Sequence, residues 1–147
     1  MLTEGMDMQA YPSVVSLSSR FGDMDADACV SDTALARYVE QARSQMITEV
    51  MQECGIDLRK GPLGILVAHV KIEVASHRPP DSEVFLASGV SAIGRSSVHL
   101  RVGVFSGGAC LAVADNVLVL IARETGRPVS IPSLLAGKLQ LCKCRQR

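Results

Sequence analysis

The stretch Ser31–Cys54, SDTALARYVEQARSQMITEVMQEC, decides the fold of this chain. Its apolar positions Ala34, Leu35, Tyr38, Val39, Ala42, Met46, Ile47, Val50, Met51 and Cys54 recur at steps of three and four, and no Gly or Pro interrupts them. That period predicts one long amphipathic helix with a continuous apolar stripe. Ser31 or Asp32 can cap its start, and Gly55 suits the turn beyond its end.

Downstream of the helix the period switches to two. Leu66, Ala68, Val70, Ile72 and Val74 alternate with Val67, His69, Lys71 and Glu73, which predicts a strand. Glu83–Ile93 and Ser96–Phe105 flank Gly94-Arg95, and the second run alternates cleanly, so the two predict a hairpin. Gly107-Gly108 then turns the chain into Ala109–Ala122, an apolar run broken only by Asp115-Asn116, which predicts a strand buried on both faces. With Ser13–Ser19 as a first strand, the order is β-α-β-β-β-β. This is an α+β pattern in which an antiparallel sheet of about five strands wraps one central helix. A single domain is placed at 13–132, with 1–12 as an N-terminal extension. The tail 133–147 carries Lys138, Lys143, Arg145 and Arg147 and no acidic residue, which predicts a flexible end.

Lys plus Arg and Asp plus Glu each number 15, so the overall charge favours neither nucleic acid nor an anionic membrane as partner. Aromatics make up 3% with no Trp, leaving little on which bases could stack. No apolar run is long enough to span a bilayer, and Met1–Pro12 carries Glu4 and Asp7 instead of a basic start, so a cytoplasmic protein is expected. Five irregularly spaced cysteines predict free thiols.

The candidate chemistry precedes the helix. Arg20–Asp32, RFGDMDADACVSD, sets Asp23, Asp25, Asp27 and Asp32 within ten residues. A loop feeding a helix N-terminus places carboxylates beside unpaired backbone N–H donors, so an acid and an oxyanion site can face one substrate atom. An aspartate there can equally cap a turn or pair with Arg20. A calcium loop counted from Asp23 would need Gly and Glu at its sixth and twelfth positions, where this chain has Ala28 and Ala34, so no metal is expected. Glu40 lies nearly opposite the apolar stripe in helical phase, which favours an ion pair with Arg37 or Arg43 over a second catalytic carboxylate. His69 falls mid-strand beside Lys71 and Glu73, where it can bind substrate or move a proton; His77 and His99 are less well placed. The aspartates around Cys29 oppose a thiolate, and Cys142-x-Cys144 lacks two further zinc ligands.

Arg20-Phe21-Gly22-Asp23-Met24-Asp25, with Val30 and Tyr38-Val39-Glu40-Gln41-Ala42-Arg43 downstream, resembles a segment of the hotdog-fold thioesterases of the 4-hydroxybenzoyl-CoA thioesterase type. That segment is their arginine-aromatic-x-aspartate-x-aspartate run and the helix after it. Arg78-Pro79-Pro80, Ile93–Val98 and Thr125–Pro132 resemble the family's strand junctions and its end, so the likeness covers about Ser13 to Pro132. The resemblance implies a hotdog fold and hydrolysis of an acyl-CoA or acyl-carrier-protein thioester. It implies Asp25 as the catalytic carboxylate, acting as nucleophile or general base, with the backbone N–H groups of Asp32 and Thr33 polarising the carbonyl. Arg95, Ser96 and Ser97 would lie near the coenzyme A arm. No cofactor is implied beyond the coenzyme A of the substrate, and the expected assembly is a homodimer or a dimer of dimers whose second subunit completes the pocket.

Where many relatives carry a glycine-histidine-hydrophobic-asparagine-asparagine run, this chain has Ala28-Cys29-Val30-Ser31-Asp32. That departure keeps open a module that binds an acyl thioester without cleaving it. A dehydratase on the same fold is disfavoured, because no histidine occurs from Arg20 to Asp32.

Overall fold

The computed structural model describes residues 4–145. Residues 1–3 and 146–147, the outer ends of the expected N-terminal extension and tail, lie outside the described residues. Five antiparallel strands, β1 (Ser13–Ser18), β2 (Leu63–Val74), β3 (Glu83–Ile93), β4 (Ser97–Ser106) and β5 (Ala109–Ala122), form one sheet in the order β1-β3-β4-β5-β2. The long helix α1 (Asp32–Glu53) links the two edge strands and crosses the sheet on the way. The hotdog expectation of an α+β sheet around one central helix holds, with α1 starting and ending within a residue of its forecast.

The core follows from the two periods meeting. Alternate residues of the central strands, Val84 and Leu86 on β3, Val98, Leu100, Val102 and Val104 on β4, and Ala112, Ala114, Leu118 and Leu120 on β5, point at α1. The stripe from Ala34 to Met51 meets them, and each large side chain so buried contributes about 1.5–3 kcal/mol. Asn116 takes an inward place on β5 at 1% exposure. Its amide donates to the Leu100 carbonyl and its Oδ1 accepts from Arg43 on α1, so the polar break in an apolar strand is satisfied.

On the outer face Tyr11 packs with Phe105, Ala87, Cys110 and Val113, which gives β5 its second buried side and ties the segment ahead of β1 to the sheet. The C-terminal segment departs from expectation. Its basic charge predicted a flexible end, yet Ser133–Leu141 forms a second helix, α2, with Leu135 and Leu139 buried against Met46, Ile47, Val50 and Met51 of α1. Beyond it, Val90 N–H donates to the Cys142 carbonyl and Cys144 N–H to the Val90 carbonyl, so the tail takes up the β3 edge that β1 leaves open. The physical reason is that two leucines four residues apart bury one face of a short helix, while Lys138 and Lys143 stay at the surface. All five cysteines are free thiols. Among the described residues no helix is long and apolar enough to cross a membrane.

Candidate active site

Between β1 and α1 the chain makes a tight loop. Met24 and Val30 pair across it; Asp25 N–H donates to the Cys29 carbonyl at 2.8 Å, and Ala28 N–H to the Asp25 carbonyl at 3.0 Å. Ala28 turns the corner at φ +61°, in the left-handed region that glycine adopts without penalty. The Asp25 carboxylate closes the loop from inside: its Oδ1 accepts from Asp27 N–H at 2.8 Å and Cys29 N–H at 3.1 Å. Oδ2 takes no hydrogen bond among the described residues, so one oxygen anchors the side chain and the other stays available.

The helix start lies alongside. Ser31 caps α1, its Oγ accepting from Ala34 N–H at 3.1 Å, and the first intrahelical bond runs from Leu35 N–H to the Ser31 carbonyl. The N–H groups of Asp32 and Thr33 precede that bond and have no partner among the described residues, so they are available to an oxyanion. Asp25, Asp32, Cys29, Leu35, His77 and Leu111 line a cavity of about 40 Å³ at this end of α1, room for little more than one water.

A buried network beneath the loop sets its position. Asp23, 7% exposed, accepts from the Tyr38 hydroxyl at 2.7 Å and from Arg20 through N–H, Nε and Nη2 at 3.3–3.4 Å. Burial works against its charge, but the bonds from Tyr38 and Arg20 and the Arg20 charge outweigh it and hold the carboxyl below its ordinary value. Burial, then the bond to Asp23, raises the Tyr38 hydroxyl. A depressed carboxylate adds stability above its unfolded-state pKa and loses it as pH falls through the folded one. Tyr38→Phe is expected to cost about 1–2 kcal/mol at neutral pH. It should also move the acid-side loss of stability to higher pH, which urea titrations across the acid range would record. An unchanged acid limb would remove Tyr38 from the network.

Cys29 is buried, and burial together with the charges of Asp25 and Asp27 raises its thiol, which leaves it a poor nucleophile. His77, ranked below His69 from sequence, is the histidine the fold brings to Asp25. Its Nε2 lies 3.5 Å from Asp27 Oδ2, and ligand atoms of Asp25, Asp27 and His77 fall within 4.8 Å of one another, all three side chains exposed. These three could reach a divalent cation, a set that the aspartate spacing alone did not contain. The missing signal is the register that returns the chain after β2 to the start of β5, with Ala75 N–H donating to the Leu111 carbonyl.

Other sequence candidates lie elsewhere. His69 is exposed on β2, five residues from Val74 at the cavity, about 16 Å along the strand. Arg95, Ser96 and Ser97 turn between β3 and β4, where Arg95 Nε donates to Ser130 Oγ. Ser97 pairs with Val119, eight residues along β5 from Leu111 and thus about 26 Å from Asp25's cavity. One chain therefore does not bring this hairpin to Asp25. Glu40 is exposed and sits 3.8 Å from Arg43, the ion pair its helical phase predicts.

A five-stranded antiparallel sheet wrapped on one long helix defines the hotdog class. The chain belongs to the thioesterase-like superfamily, whose family model matches residues 19–139. Among solved structures it is similar to a thioesterase complexed with coenzyme A and Zn from Thermus thermophilus, at TM-score 0.73 and 24% identity over 94% of this chain and 98% of that one. It is also similar to a protein named a predicted thioesterase from Bacillus stearothermophilus, at TM-score 0.78 and 17% identity over 91% and 98%. A 1,4-dihydroxy-2-naphthoyl-CoA thioesterase from Synechocystis aligns at TM-score 0.70 and 11% identity over 86% and 94%. No curated protein matches the sequence.

Proposed function

We propose that this protein is a thioester hydrolase of the 4-hydroxybenzoyl-CoA thioesterase type, acting on an acyl-CoA or an acyl group on a carrier protein. The observation that carries the reading is Asp25, anchored through Oδ1 with Oδ2 open, at a cavity that Asp32 at the start of α1 also lines. Superfamily membership supports it, and a similar structure holding coenzyme A supports the coenzyme arm.

Two routes use the same atoms. As nucleophile, Asp25 attacks the thioester carbon, the thiolate leaves, and water opens the resulting anhydride; as general base, Asp25 takes the proton of a water that attacks directly, and the thiolate leaves as the tetrahedral intermediate collapses to the acid. In both, the Asp32 and Thr33 N–H groups receive the charge that builds on the carbonyl oxygen. Carboxylate and backbone donors supply this chemistry, so neither a metal nor a redox cofactor is part of the proposal.

If Arg95, Ser96 and Ser97 hold the coenzyme arm of a substrate at Asp25, they come from a second copy, because their own chain keeps them at the far end of the sheet. The edge strand β2, with Leu66 and Val74 each 52% exposed, offers an unpaired edge with apolar side chains for that copy. A homodimer, or a dimer of dimers, is therefore part of the proposal, as is a cytoplasmic location.

The test is release of free thiol from a panel of aliphatic and aromatic acyl-CoAs by purified protein. Turnover of at least one is expected. Binding of acyl-CoAs without turnover would instead favour the non-catalytic module, the reading that Ala28-Cys29 keeps alive.

A further inference from the structure

A second concavity, of about 340 Å³, lies between the middle of α1 and the β5–β2 side of the sheet. It is remote from the Asp25 loop, since Arg43 stands eleven residues beyond Asp32, about 16 Å along α1. Its volume falls within the range of small-molecule pockets, about 300–1,000 Å³. Ile47, Ile65, Leu118 and Ile121 give it aliphatic walls, Arg43 and Arg123 are its charged groups, and no carboxylate lines it.

Arg43 is poorly matched by the protein itself. The Arg43 side chain is 11% exposed, and its Nη1 donates to Asn116 Oδ1, a neutral acceptor, at 3.1 Å. Its ion pair with Glu40 spans 3.8 Å, and Glu40 is 69% exposed, so water screens most of that attraction. Arg123, exposed at the rim, donates to the backbone carbonyls of Gly61, Leu63 and Leu58 and enters no ion pair among the described residues, so it adds positive charge to the groove while the desolvation argument rests on Arg43. A largely buried guanidinium without a close anion is costly, and a planar oxyanion is the partner its fork fits.

We infer that this groove binds an aliphatic carboxylate, its head at Arg43 and Arg123 and its chain against Ile47, Ile65, Leu118 and Ile121. The ligand class follows from pairing two cations with aliphatic walls in one concavity. The inference is independent of hydrolysis at Asp25, because occupancy of the groove is read without turnover.

The experiment is a titration of methyl-labelled protein with octanoate, and separately with octylammonium, followed by NMR. Saturable shifts of the Ile47, Ile65 and Leu118 methyl signals are expected with octanoate. Octylammonium should bind about tenfold or more weakly, and Arg43→Gln should weaken octanoate about tenfold or more. Absence of saturable shifts at those methyls, or equal binding of the two head groups, overturns the inference. So does undiminished octanoate affinity in folded Arg43→Gln. Should that variant fail to fold, the comparison of head groups on the wild type decides alone.

Discussion

Asp25→Asn is expected to lower thioester turnover by about a hundredfold or more, with the fold intact. The substitution changes one oxygen. An asparagine Oδ1 can still accept from the Asp27 and Cys29 N–H groups, so the loop keeps the two bonds that close it. The amide that replaces Oδ2 can neither attack a carbonyl nor take a proton from water, which removes both routes together. Thiol release measured beside thermal melts separates the effects: unchanged melting with turnover near the blank assigns the chemistry to Asp25. Turnover surviving in Asp25→Asn would move the search to another group. His77 is then the first to replace, because it shares the cavity with Asp25, while Glu40 and His69 lie elsewhere on α1 and β2.

How much of this was legible depends on how local the determining physics is. The limits of α1 were, because a stripe at period 3.6, Ser31 at one end and Gly55 at the other are all encoded within the helix itself. The β3–β4 hairpin was as well, through its alternation around Gly94-Arg95. Strand β2 was recognisable as a strand but not as an edge. Alternation says which residues share a face, whereas sheet order decides whether anything covers it, and Leu66 and Val74 stay half-exposed because α1 lies over β3, β4 and β5. The site shows the same division. Asp25 and the uncapped N–H groups belong to one continuous stretch and could be read from it. His77 reaches that stretch only through the register of β2 on β5, a pairing between residues some 40 positions apart that no window along the chain contains.

The C-terminal segment is the case in which local reading failed, and it carries the second large expectation. Leu139→Ala should destabilise the protein by about 3 kcal/mol, within the range for emptying a buried leucine site. Leu139 is 1% exposed and belongs to the buried cluster that joins Met46, Ile47, Val50 and Met51 of α1 to Val90 and Val98 of the sheet. A nine-residue helix with no side-chain cap at Pro132 is too short to persist alone in water, so α2 exists because Leu135 and Leu139 dock. Truncating Leu139 opens the core at the end of α1, and it loosens the strap beyond, where Cys142 and Cys144 bond both backbone groups of Val90. Leu141, 80% exposed on the same helix, is the control: its change to Ala should stay within about 0.5 kcal/mol. Urea unfolding of both variants checks this, and a loss below about 1 kcal/mol for Leu139→Ala would mean that α2 rests on the core without contributing to it. The expected asymmetry between two leucines two residues apart is what composition could not convey. The basic residues of the segment describe its solvent face, and the stability resides in the face they leave uncovered.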